Sequence, residues 1–288
     1  MSPVYWHATI SKLFLPILIK PKKFFLAIKR FFTDKRVRFI ASALFLGGAL
    51  LLVQSLPFAW RYRSVAGLSF LAFLFTQISF FDSFTLPGQR INAAILPVFF
   101  SAGVALFYFL FPASWWYRLA ILLFFAFSIY ITFLSENIFL VAALRTIALL
   151  RAAQTAGFLL TLLAFFFLSN TVFSFRLFFW ENMLLIMVVS WPLFWHFLWM
   201  INADPETKKK RLFTTLVLTL ILGELSLVIS FFPVNVLIAS LFLVCGAYIL
   251  MGLAAADLNG RLFTKTIREY LIIGALMFLV LLLNISWR

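Results

Sequence analysis

The chain has 288 residues, 65% of them hydrophobic and 11% charged, with 24 Lys/Arg against 9 Asp/Glu and a formal net charge of +15. A soluble domain carries about a quarter charged residues, so too little polar surface is present to face water on every side. The composition excludes a soluble globular protein and fits a bilayer, where apolar helices satisfy their own backbone hydrogen bonds. The positive charge does not indicate nucleic acid, because the basic residues flank apolar segments on one side instead of forming a stripe.

The first 38 residues read as a basic cytoplasmic or interfacial arm without a cleavable signal pattern, and residues 39–288 read as a single transmembrane domain. Pro21 suits the first position of a helix. From there Phe24, Phe25, Ile28, Phe31 and Phe32 share an arc of about 120°, with Lys22, Lys23, Lys29 and Arg30 opposite. This predicts a basic amphipathic helix lying against anionic lipid at the inner face.

Nine apolar stretches follow, at 39–58, 64–81, 91–111, 119–134, 154–172, 182–201, 212–231, 236–256 and 271–287. Most approach the ~20 residues needed to cross ~30 Å of hydrocarbon. With the N-terminus inside, only Arg61, Arg63, Arg118, Arg176 and Arg288 of the Lys/Arg fall on the outer side. Trp60, Trp115, Trp116, Trp180 and Trp287 mark the outer junctions, as an aromatic belt would. The fold class is therefore an all-α polytopic bundle of about nine spans, N-terminus cytoplasmic, in the inner membrane.

Residues 135–153 fit this pattern least, because Glu136, Arg145 and Arg151 interrupt the apolar run. Ser135 is a suitable N-cap with Glu136 in the first turn, which predicts an in-plane or re-entrant cytoplasmic helix. The alternative extends the fourth span to about Leu144 with Glu136 inside it. The run Ser135-Glu136-Asn137-Ile138-Phe139, continued by Arg145-Thr146-Ile147 and Arg151-Ala152-Ala153-Gln154, resembles a segment of uncharacterised multi-pass proteins of candidate-phyla bacteria. That resemblance covers residues 135–154 and implies no activity.

Chemistry centres on Glu224, ~18 Å from the inner end of the seventh span and ~11 Å from the outer. A carboxylate at that depth usually faces the bundle interior, a partner or a water path. It either stays protonated as a hydrogen-bond donor or titrates on a proton or cation route. On the same helix Thr215, Thr219, Gly223, Ser226 and Ser230 fall within an arc of about 80°, a stripe that favours close helix packing. Glu224 points about 140° away from it, so two faces prefer protein and the seventh span is expected at the centre. Candidate partners are Ser190 and the carbonyl of Val188, freed by Pro192, together with Gln54 at similar depth. His196 lies ~10 Å deeper and is expected to pack beside Trp195 and Trp199.

Enzyme signatures are sparse. Cys245 is the only cysteine, so no Cys-based metal cluster or redox pair is available. His7 and His196 are too far apart for HExxH, and Glu181 is the only outer acid. No cofactor and no metal site is expected. The leading reading is a small-solute or lipid transporter with Glu224 in its midplane site. The alternative is a non-catalytic scaffold or assembly factor that docks a membrane-protein partner or a second copy of itself. A third reading, a cytoplasmic-face lipid-modifying enzyme, requires Asp82, Glu136 and Asp257 to converge.

Overall fold

The computed structural model describes residues 34–83, 88–111, 114–142, 148–202 and 208–285, and these are all-helical. The basic arm with Lys22, Lys23, Lys29 and Arg30 lies outside them. The helices are α1 Lys35–Ser55, α2 Arg61–Phe80, α3 Gln89–Tyr108, α4 Trp115–Ala142, α5 Leu150–Ser174, α6 Phe179–Ile201, α7 Lys208–Ile229, α8 Val236–Leu258 and α9 Thr264–Leu283. All nine are long and apolar enough to cross a membrane, which makes the protein a multi-pass integral membrane protein.

The helix ends correct the sequence reading in two places. α4 runs unbroken for 28 residues, so residues 135–142 continue it and do not start an in-plane helix. The longer fourth span, the alternative reading, describes the chain. α9 begins seven residues before the expected 271, because a helix continues through Lys265 and Arg268 once their long stems reach the interface.

Short connections fold the helices up and down. One end of the bundle carries Lys35, Arg38, Lys208, Lys209, Lys210, Arg211, Arg261 and Lys265; the other carries Trp60, Trp115, Trp116 and Trp180, all exposed. They are called here the basic end and the Trp end. Glu181 has a local task at the Trp end: its carboxylate accepts the backbone N–H of Phe178 at 3.0 Å and caps α6. Asn235 is the N-cap of α8, its side chain accepting from the N–H of Leu237.

The centre of the bundle is α5, which packs against α3, α4, α6 and α8. Its apolar window is 67% buried, against 39% for α7 and 6% for α9. The Phe-rich composition fills both kinds of surface. Phe100, Phe107 and Phe167 interlock between α3 and α5, while Phe70, Phe127 and Phe213 lie exposed on the outer face, where lipid is the solvent.

α7 is not central: it packs chiefly against α6 and α8. Thr215, Thr219, Gly223 and Ser226 are buried, and Ser230 accepts a hydrogen bond from the Asn182 amide of α6. A side chain at Gly223 would meet Met187 of α6, with its Cβ 2.5 Å from Met187 Cγ. Replacing Gly223 with Val should therefore destabilise the protein by about 1–3 kcal/mol, read as a lower thermal-unfolding midpoint in detergent.

Candidate functional site

α4 buries one face at helical spacing: Phe125, Ile129, Thr132, Phe133, Glu136 and Phe139. On α6 the buried face includes Ile186, Ser190, Leu193, His196 and Met200. The two faces meet at Glu136 and His196, whose Oε1 and Nε2 lie 2.7 Å apart with both side chains fully buried. The contact was accessible from helix geometry. Glu136 lies six residues from the basic end of α4 and His196 five from that of α6, or ~9 and ~8 Å of rise. Ending the fourth span at residue 134 concealed that equal depth.

Gly157 of α5 makes the approach of the two helices possible. A Cβ there would lie 2.6 Å from Met200 Sδ and 3.2 Å from Phe139 Cζ. Its bare backbone lets side chains from α4 and α6 close over α5. Gln154, one turn earlier, donates to the Met200 carbonyl at 3.2 Å and ties α5 to the basic end of α6.

At 2.7 Å one proton must lie between Glu136 and His196. Glu136 Oε2 and His196 Nδ1 have no hydrogen-bond partner among the described residues. An unpaired buried polar atom costs roughly 1–3 kcal/mol, so each of these two atoms calls for a further hydrogen-bond partner. Ionisable residues inside membrane spans usually mark such sites.

The residues singled out from the sequence do not assemble into one site. Glu224 is exposed on the outer face of α7, not turned inward. Ser190 is buried but donates to the Met187 carbonyl of its own helix at 3.3 Å. The Val188 side chain is 67% exposed, and Pro192 sits within a continuous α6. Gln54 is buried near the Trp end with its amide unpaired among the described residues. The helix geometry that put Glu224 opposite the small-residue stripe is sound, but only the stripe's face meets a neighbour.

Two further polar contacts fasten the basic end. Arg38, 1% exposed on α1, donates through Nη2 to both oxygens of Asp82 beyond α2, at 2.9 and 3.0 Å. Arg211 of α7 lies over the Trp195 ring and donates to the Asn202 carbonyl. Trp195 in turn donates to Asn92 of α3 at 3.0 Å. The inner acids therefore do not converge: Glu136 faces His196, Asp82 faces Arg38 and Asp257 faces Lys210. No group of three metal-ligating side chains forms among the described residues.

The family is set by a match over residues 39–284 to the model described as protein of unknown function DUF5656. The chain belongs to that family. The match takes in all nine helices except the first turn of α1, far more than residues 135–154. No curated protein and no solved structure matches the chain.

Burial pushes the Asp82 carboxyl up, but the Arg38 hydrogen bond and charge outweigh it and hold it below its ordinary range. A depressed folded value means that Asp82 stabilises the fold at pH values above its unfolded pKa, about 3.9, and loses that contribution as the pH falls through the folded value. Asp82 is 39% exposed, so solvent screening limits the effect to about 1 kcal/mol. The unfolding midpoint of Asp82→Asn should lie below wild type at neutral pH, and the gap should close only as the pH falls below about 4.

Proposed function

We propose that the protein is a proton-linked transporter of small solutes or lipids, in which Glu136 and His196 take the part that the sequence assigns to Glu224. It would lie in the inner membrane with its N-terminus in the cytoplasm, the basic end facing anionic lipid. The resemblance of residues 135–154 to multi-pass proteins of candidate-phyla bacteria belongs to this reading.

One observation carries it: a carboxyl and an imidazole, wholly buried within membrane-spanning helices, share a hydrogen bond, and each keeps one atom unpaired among the described residues. Two apolar side chains facing one another would hold α4 to α6 without the desolvation that buried ionisable groups require. A carboxyl and an imidazole joined by a hydrogen bond can pass a proton between them by local rearrangement. Residues used in this way typically lie on proton relays of pumps and transporters.

A scaffold or assembly role is the second reading, favoured by the exposed Glu224 on α7. A carboxyl on a lipid-facing surface costs free energy until a protein covers it, and a membrane-protein partner or a second copy of the chain would do so.

A proton site of a transporter must meet water in at least one working state. The test is labelling of Glu136 by a hydrophobic carbodiimide in native membranes, read by mass spectrometry across roughly pH 5 to 9. The transport reading expects labelling that falls as the carboxyl ionises and that changes under an imposed proton gradient. An absence of Glu136 labelling at every pH, with and without the gradient, contradicts it.

A further inference from the structure

At the basic end, α5, α6, α8 and α9 surround a cleft of about 450 Å³. That volume falls within the range of small-molecule sites, about 300–1,000 Å³. Two arginines reach it from different elements: Arg151 from the first turn of α5 and Arg261 from just beyond α8. No carboxylate is among its lining residues.

Three of the basic residues at this end have identified partners. Arg38 is held by Asp82, Lys210 by Asp257, and Arg211 by Trp195 and the Asn202 carbonyl. Neither Arg151 nor Arg261 forms an ion pair among the described residues. Two guanidinium groups lining one cleft with no carboxylate among its lining residues present the donor forks that recognise phosphate and carboxylate. Arg151 also sits at the N-terminus of α5, where the helix dipole favours an anion.

The rest of the cleft changes character with depth. Arg151, Thr155 and Phe158 follow one another on one face of α5, and Phe158 lies ~10 Å further along the helix than Arg151. Phe197 and Met200 of α6 continue the apolar wall, and both are buried. On the other side the Tyr270 ring lies across Gly252, in the space a Cβ would take, and packs tilted against Tyr248 with centroids 5.6 Å apart. A charged mouth over an apolar interior suits a molecule with an anionic head and an apolar tail.

We propose that this cleft binds a phosphate-bearing anion, with Arg151 and Arg261 clamping its oxygens and the wall of Phe158, Phe197 and Met200 receiving an acyl chain when the ligand is a lipid. The site involves neither Glu136 nor His196, and the proposal holds whether or not the protein transports protons. The same phosphate chemistry reaches the basic end from two sources, a lipid headgroup or a soluble phosphate compound, and the length of the apolar wall favours the lipid.

The test uses the full chain purified in neutral detergent and titrated with short-chain phosphatidic acid, the matching phosphatidylcholine and inorganic phosphate, each read as stabilisation against thermal unfolding. Phosphatidic acid should bind, and Arg151→Gln and Arg261→Gln should each weaken it about tenfold, the loss of one charge-assisted hydrogen bond. Both arginines are exposed, so the variants should unfold at the wild-type midpoint without ligand. Arg118→Gln at the Trp end should leave binding unchanged. Saturable binding of phosphatidic acid alone supports the proposal with a lipid as its source. Equal binding of inorganic phosphate, lost in the same two variants, supports it with a soluble phosphate as the source. Binding of neither, or binding that survives the double variant Arg151→Gln/Arg261→Gln, overturns it.

Discussion

Inside a bilayer a polar side chain has few partners, and at the basic end of this bundle the polar side chains find each other across helices. Glu136 and His196 join α4 to α6 over the bare backbone of Gly157. Arg38 and Asp82 join the start of α1 to the chain beyond α2. Arg211, Trp195 and Asn92 link α7, α6 and α3. Apolar packing between lipid-like surfaces has little directional preference, whereas these contacts have fixed partners and distances. They give the basic end a defined register, with α5 enclosed at its centre.

Away from α5 the bundle becomes less enclosed. α7 lies on α6 through Thr215, Thr219, Gly223 and Ser226 and turns Glu224 outward. α9 packs on α8 and buries little of itself. The cleft with Arg151 and Arg261 lies where this loosely held helix meets the tightly packed α5 and α6. Met200 touches both regions, pressing on Gly157 beside the Glu136–His196 pair and lining the cleft.

The nine helices were legible because each is an apolar run of bilayer length bounded by Trp or Lys/Arg. Glu136 stayed between two readings because a charge in an apolar run reads locally as the end of a span, and its partner lies 60 residues away in sequence. Helix geometry put Glu224 opposite the small-residue stripe, but the angle around one helix carries no information on how many neighbours that helix has. Ser190 bonds within its own helix for the same reason: a freed donor takes the nearest carbonyl, and proximity in depth to Glu224 does not bring the two faces together. The cleft combines residues from four helices and has no pattern in any one of them.

Glu136 and His196 depend on each other, and a double-mutant cycle in thermal or chemical unfolding measures this directly. Glu136→Leu and His196→Leu should each destabilise the protein by about 3–5 kcal/mol, because each leaves a buried ionisable group alone. The double variant should recover most of that loss, giving a coupling well above 1 kcal/mol. Two losses that simply add would mean that the groups do not sense one another, and the account of the basic end would be wrong.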